Sequence, residues 1–203
     1  MIGHLEDVEE IGDPVTVGKT KRASLDFYPT PTPVTRVLHD WLVARDLWSG
    51  RWTDPAAGAG HLMRGMSGVA WSGIEIDPTR AALARQVAPT VCGDGLAESW
   101  GDAHVAANPP FSLLDEFWSK CVEHRAAARA VCAVFTPVAF WNAEKRADYT
   151  SPDCVLNLCW RPTFRDRNGF AHKGMQDFCW SILLPTPATI ATWERAKKPA
   201  RTR

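Results

Sequence analysis

Between residues 51 and 111 the chain repeats one arrangement four times: a short apolar run that stops at a glycine, a proline, an acid or an asparagine. The runs are Arg51-Trp52-Thr53, then 69–77, then Thr90-Val91-Cys92, then His104-Val105-Ala106-Ala107. Helix-length segments stand between several of them. Leu62-Met63-Arg64 opens one, 79–87 is rich in alanine, leucine and arginine, and 113–124 places Leu114, Phe117, Trp118 and Cys121 on one face. Strands alternating with helices build a mainly parallel sheet covered by helices. In such a sheet the carboxyl ends of the strands share one edge, and ligands bind outside it. The residues that stop each run therefore converge.

The flanks complete the plan. Val34, Val37, Leu38, Trp41 and Leu42 follow the spacing of an amphipathic helix. Pro33 suits its first turn, and Thr30 or Thr32 is placed to cap it. A fifth strand is expected over 130–135 and a further helix within 136–149. Two apolar runs, 154–160 and 178–184, enclose only polar loop, so they read as an antiparallel hairpin. The expected organisation is a flexible arm over 1–22, a single α/β domain over 23–187 and a mobile basic tail over 188–203.

Composition narrows the class. A chain of 203 residues with 45% hydrophobic residues can bury a substantial core as one domain. A formal net charge of zero excludes a strongly basic nucleic-acid binder but not a local basic patch. No apolar run is long enough for a bilayer and the first residues have no signal-like core, so a cytoplasmic protein with no membrane partner is expected. The six cysteines are scattered without a C-x-x-C pair, which favours reduced buried thiols over a metal site or disulfides.

Asn108-Pro109-Pro110-Phe111 stands where the fourth strand ends. Two prolines fix two φ angles and remove two N–H donors, and Asn108 is biased to an extended conformation by the proline after it. The product is a stiff platform carrying an amide, free carbonyls and an exposed aromatic ring. The Asn108 amide oxygen and the Pro109 carbonyl can accept the two hydrogens of an amino group on a planar ring, with Phe111 stacking on its face. An ordinary proline-rich turn with a core phenylalanine is the plain alternative. Upstream, Asp54-Pro55-Ala56-Ala57-Gly58-Ala59-Gly60 is a glycine turn leading into a helix, without the lysine of a phosphate-binding loop. Glu75 lies 15 residues after Gly60, near the position of a ribose-binding acid. Asp94, between two glycines, can accept from an adenine amino group or simply serve its turn.

With these residues in this order the chain resembles the S-adenosylmethionine-dependent amino methyltransferases, in particular the adenine-N6 DNA methyltransferases with the gamma-type motif order found in phages and mobile elements. The resemblance runs from Phe27 to Pro185. It implies a Rossmann-like methyltransferase fold with a reversed last strand, S-adenosylmethionine as cofactor and DNA as partner. Phe27-Tyr28-Pro29-Thr30-Pro31 is similar to the segment that contacts the methionine part of the cofactor, through Tyr28, Thr30 and Pro31. The glycine turn, with Asp54, Ala56, Gly58 and Gly60, resembles the cofactor loop; Glu75 with Ile76 resembles the ribose site and Asp94 the adenine site. Asn108, Pro109, Pro110 and Phe111 match the catalytic [DNS]-P-P-[YFW] pattern. Arg161, Arg165, Arg167 and Lys173, in the loop between the last two apolar runs, are the expected nucleic-acid contacts; a solvated charged loop is the alternative.

Other readings stay open. The same platform suits an amino group on an RNA base or the amide of a protein glutamine. A cofactor- or DNA-binding module without catalysis is the non-enzymatic alternative. A dinucleotide dehydrogenase is weakened because the turn lacks the G-x-G-x-x-G spacing.

Overall fold

The structure, a computed structural model, describes residues 28–165, 171–173 and 176–200. The proposed arm over 1–22 and Arg167 lie outside the described residues, as do the side chains of Arg165, His172 and Lys173.

Helix α1 (Thr32–Val43) precedes β1 (Arg51–Asp54), α2 (His61–Gly65), β2 (Ala70–Glu75), α3 (Pro78–Ala84), β3 (Thr90–Cys92) and β4 (His104–Ala107). Then come α4 (Leu114–Ala128), β5 (Cys132–Pro137), β6 (Cys154–Leu158), β7 (Thr163–Arg165), β8 (Ala171–Lys173), β9 (Phe178–Leu183) and β10 (Thr192–Ala196). Eight strands form one sheet in the order β10-β6-β9-β5-β4-β1-β2-β3, and β7 pairs with β8 as a separate ribbon. β1 to β5 run parallel, and β9 enters between β5 and β6 antiparallel to both. This is the Rossmann-like methyltransferase architecture expected from the sequence, with the reversed strand and the 154–184 hairpin in place.

The sequence explains the layers. β5 and β9 are nearly continuous in apolar residues because helices cover both faces of the sheet. On one face α1 buries Val34, Val37, Leu38, Trp41 and Leu42 against Trp52, Phe135 and Trp180. On the other α4 buries Leu114, Phe117, Trp118 and Cys121 against Val105, Cys132 and Val134. Trp52, Trp118 and Trp180 are fully buried, and the Trp180 indole N–H donates to the Val34 carbonyl at 3.1 Å, tying α1 to the sheet. Strand order reverses between β1 and β4, with β2 and β3 on one side and β5 on the other. That switch point opens a crevice at the carboxyl edge of the sheet.

Three local expectations change. Residues 136–149 form two short 3₁₀ turns, Val138–Asn142 and Glu144–Arg146, rather than a helix. The Trp141 indole N–H donates to Ser181 Oγ at 2.8 Å and Arg146 donates to the Phe140 carbonyl at 3.0 Å, so anchoring to neighbours sets this backbone. Proline at the α1 N-cap replaces the expected threonine cap, and no side chain caps that end. The segment over 188–203 is not all tail. β10 pairs in parallel with β6 from Thr192 to Ala196. It is anchored at a distance: Glu194 accepts from the Trp41 indole at 3.0 Å, and both its carboxylate oxygens accept from Arg45 Nη2 at 2.8 Å. Buried Asp153 accepts the Ala188 N–H at 2.7 Å, the Leu184 N–H at 2.8 Å and an Arg125 guanidinium N–H at 3.1 Å. A carboxylate paired this fully can remain buried.

Four of the six cysteines are buried, Cys92 and Cys159 are exposed, and all six thiols are free. Among the described residues no helix is long and apolar enough to cross a membrane, and no group of three His, Cys, Asp or Glu side chains is placed to hold a metal ion.

Candidate active site

The Asn108 platform lies directly beyond β4, next to the switch point. Its amide is fixed from a distant part of the chain. Nδ2 donates to the Tyr28 carbonyl at 2.9 Å and to Thr30 Oγ1 at 3.1 Å. Both amide hydrogens are thus engaged, and Oδ1 is the end left to accept. Pro110 starts a 3₁₀ turn, with the Leu113 N–H donating to its carbonyl at 2.9 Å. Phe111 is half-buried rather than exposed. Its ring stacks on Tyr28 at 5.7 Å between centroids and packs against Phe178 at 5.6 Å. Phe164 of β7 meets Tyr28 at 5.9 Å and Phe178 at 5.6 Å, so the β7–β8 ribbon leans on the same aromatic group.

Beyond β1, the glycine turn leads into α2 through Gly60, whose φ of 83° is left-handed. A side chain there would also press on Val87 and Ala84, beside α3, at 3.0–3.3 Å. Glycine therefore serves both the turn and the close packing behind it. Asp54 is 2% exposed, with Oδ1 accepting the Ala56 N–H at 3.0 Å. Burial, reinforced by the nearby Glu75 charge, pushes its carboxyl up to about 7.

Glu75 ends β2 and is 6% exposed. One oxygen accepts the Gly58 N–H at 2.7 Å; the other accepts the Asp77 N–H at 2.9 Å and the Arg80 Nε–H at 3.2 Å. Asp77 in turn caps α3 by accepting the Thr79 and Arg80 N–H groups, each at 2.9 Å. Past β3, Asp94 accepts the Leu96 N–H at 2.8 Å. The loop after Asp94 is gripped from α4: Lys120 Nζ donates to the Gly95 carbonyl at 3.0 Å and to the Leu96 and Glu98 carbonyls at 2.7 Å. Burial lowers the pKa of this ammonium. The Trp100 indole adds a fourth bond, to the Gly95 carbonyl at 2.9 Å. A Cβ on Gly95 would overlap the Pro55 carbonyl oxygen, so the loops after β1 and β3 meet backbone to backbone.

These parts surround one cavity of about 400 Å³. Of the residues singled out from sequence, Tyr28, Thr30, Asp54, Ala56, Gly58, Glu75, Ile76, Asp94, Asn108, Pro109 and Pro110 line it. Pro31, Gly60 and Phe111 are outside the lining and act from behind. The structure adds His61, Arg80, Ser112, Leu113 and Phe117. His61 follows the glycine turn directly and was within reach of the motif. Arg80 was not, because its meaning depends on folding against Glu75. The cavity has the size of a small-molecule site.

The candidate nucleic-acid contacts are less gathered. Exposed Arg161 donates through Nε to Asp177 at 2.9 Å, across the base of the ribbon. Arg165 and Lys173 lie on β7 and β8; Phe164 pairs in register with His172 between them.

Neither family models nor curated protein sequences match this chain. Solved structures do. One, from Listeria monocytogenes, proposed to be a class I S-adenosylmethionine-dependent methyltransferase, superposes with a TM-score of 0.59 at 16% identity, over 82% of this chain and 65% of its own. A type I restriction-modification methyltransferase subunit from Streptococcus thermophilus gives 0.57 at 16% identity, over 84% of this chain and 47% of its own. A proposed RNA methyltransferase from Pyrococcus horikoshii gives 0.58 at 15% identity, over 79% of this chain and 88% of its own. The chain thus spans less than two thirds of the first two structures. At these identities the likeness is one of fold: the chain has the Rossmann-like methyltransferase fold that these three solved structures share.

Proposed function

We propose that the protein transfers a methyl group from S-adenosylmethionine to the exocyclic N6 amino group of adenine in DNA. The observation that carries the reading is the seating of Asn108: both amide hydrogens are held by Tyr28 and Thr30, Oδ1 is left to accept, and the residue lines the cavity.

The residues around the cavity fit the cofactor. Three carboxylates at successive strand ends (Asp54, Glu75 and Asp94) suit a ligand with a cationic amino-acid part, a ribose diol and an adenine amino group. Asp54 and the glycine turn face the cationic part, Glu75 the ribose, and Asp94 with Ile76 the adenine. Tyr28, Thr30 and Pro31 belong to the methionine end. When bound, S-adenosylmethionine supplies an activated methyl group.

The remaining work falls to Asn108 and Pro109. An exocyclic amine on an aromatic ring is a poor nucleophile because its lone pair is delocalised. Hydrogen bonds from its two hydrogens to Asn108 Oδ1 and the Pro109 carbonyl draw the nitrogen toward tetrahedral geometry and restore the lone pair. Preorganised acceptors of this kind stabilise developing charge without reorganising, as oxyanion-hole donors do, at about 3 kcal/mol each. After transfer the methylated nitrogen is a cation acidic enough to give its extra proton to water, so no strong base is needed. Phe111, stacked on Tyr28 and packed against Phe178, stiffens the platform from behind. A base in duplex DNA has to flip out to reach Asn108, at roughly a few kcal/mol. Arg161, Arg165, Arg167 and Lys173 are the proposed phosphate contacts, and Arg161 has to exchange Asp177 for phosphate.

Labelled cofactor incubated with DNA, RNA and protein fractions tests the acceptor. N6-methyladenine in DNA from cells expressing the protein, absent with Asn108→Ala, supports the proposal. Label appearing only in RNA or in protein glutamine moves the same chemistry to that polymer and overturns the DNA assignment.

A further inference from the structure

An asparagine amide can be seated in two ways, related by a half-turn that exchanges Oδ1 and Nδ2. Only one of them presents an acceptor to an amino group. In this protein the choice is made 80 residues upstream, by the Tyr28 carbonyl, and 78 residues upstream, by the Thr30 hydroxyl. A carbonyl can only accept, so Tyr28 forces the NH2 end toward itself. Thr30 takes the second hydrogen and, at 7% exposure, keeps water from competing for it. The backbone that presents the two acceptors is stiffened by its own sequence. Tyr28 precedes Pro29 and Thr30 precedes Pro31, which biases both residues to extended conformations. Pro31 is itself extended, with φ −65° and ψ 140°, and closes the segment at the start of α1.

We propose that Thr30 is a positioning residue for methyl transfer: with the Tyr28 carbonyl, its hydroxyl locks the Asn108 amide with Oδ1 turned to the acceptor nitrogen. The proposal rests on the reading of Asn108 given above. It assigns the Tyr-Pro-Thr-Pro segment to the catalytic element and not only to the wall of the cofactor site. Without the hydroxyl, Nδ2 keeps one partner, and the amide can rock away from the geometry in which both substrate hydrogens are accepted.

The test uses the full chain with Thr30→Val, which keeps the shape and removes the acceptor, and Thr30→Ser, which keeps the acceptor. With labelled S-adenosylmethionine and unmethylated genomic DNA, Thr30→Val should lower kcat by about ten-fold or more, the scale of one hydrogen bond. Because Thr30 also lines the proposed cofactor cavity, its Kd for S-adenosylmethionine in calorimetry should rise too, but by less than kcat falls. Thr30→Ser should restore most of kcat. A Thr30→Val enzyme with unchanged kcat overturns the proposal, as does a loss confined to the cofactor Kd. A second readout needs no methyl acceptor. The Asn108 side-chain NH2 resonances, assigned by their disappearance in Asn108→Ala, should exchange slowly with solvent in the wild type and markedly faster in Thr30→Val. Equal exchange in the two overturns the contact. A wild type that methylates no DNA, RNA or protein overturns the methyl-transfer reading and the positioning role with it, while the exchange rates still judge whether Thr30 holds Asn108.

Discussion

Glu75 accepts the Gly58 backbone N–H at 2.7 Å across 17 residues, so the acid at the end of β2 braces the glycine turn that follows β1. Two lobes of the cavity are thereby joined through a single carboxylate. Glu75→Gln keeps the shape but weakens three charge-assisted bonds, to Gly58, Asp77 and Arg80. Affinity for S-adenosylmethionine should fall by about ten-fold or more, given that hydrogen bonds to charged groups contribute about 1.5–3 kcal/mol each. Isothermal calorimetry checks this, and an unchanged Kd would remove Glu75 from the cofactor site.

Asn108→Ala should separate binding from chemistry. Removing the acceptor takes away about 3 kcal/mol of transition-state stabilisation, a loss of two orders of magnitude or more in kcat. Cofactor affinity should change little, because the three carboxylates of the cavity are untouched. Single-turnover transfer and calorimetry on the same preparation measure both sides of that split.

Lys120 is the support of the Asp94 loop, with three carbonyls on one ammonium. Lys120→Met preserves the aliphatic stem and removes all three donors. Hydrogen exchange at 95–98 should accelerate and cofactor affinity should drop several-fold. Protection equal to wild type would mean that Trp100 holds the loop alone.

Asp54 makes the protein pH-sensitive in a defined direction. Burial raises its carboxyl from 3.8 to about 7, so between those values the folded chain binds a proton that the unfolded chain releases. Stability therefore falls as pH rises from about 4 to about 7 and is level beyond, with a total of order 4 kcal/mol at 1.36 kcal/mol per unit. Asp54→Asn should remove this slope and be more stable than wild type at pH 8, as read by urea denaturation at pH 5 and pH 8. The same substitution should abolish any gain in affinity for a cationic ligand between pH 6 and pH 8, since that gain needs an ionised Asp54.

Much of this site was legible because its parts are local. The glycine turn, Glu75, Asp94 and Asn108 each sit at a strand end that short-range pattern marks, and a parallel sheet brings such ends together without further information. What escaped local pattern depends on long-range partners. Thr30 reads as a helix cap until Asn108 Nδ2 is found on it. Arg80 is one arginine among several in its helix until Glu75 and Asp77 are placed beside it. Phe111 reads as an exposed ring because the tetrapeptide does not announce Tyr28, Phe164 or Phe178. β10 reads as a charged tail because Glu194 looks solvated until Trp41 and Arg45 are placed beside it.

The backbone meeting of Pro55 and Gly95 limits how the cavity can be reshaped. There is no room for even one methyl group between the two loops, so neither can be trimmed or shifted independently to admit a bulkier donor molecule. Ile76 and Leu113 stand on the cavity lining with 57% and 37% of their surfaces exposed. Engineering this protein to accept enlarged alkyl-donor analogues should therefore begin at that soft side, with small residues at 76 and 113, and leave the proline–glycine seam alone.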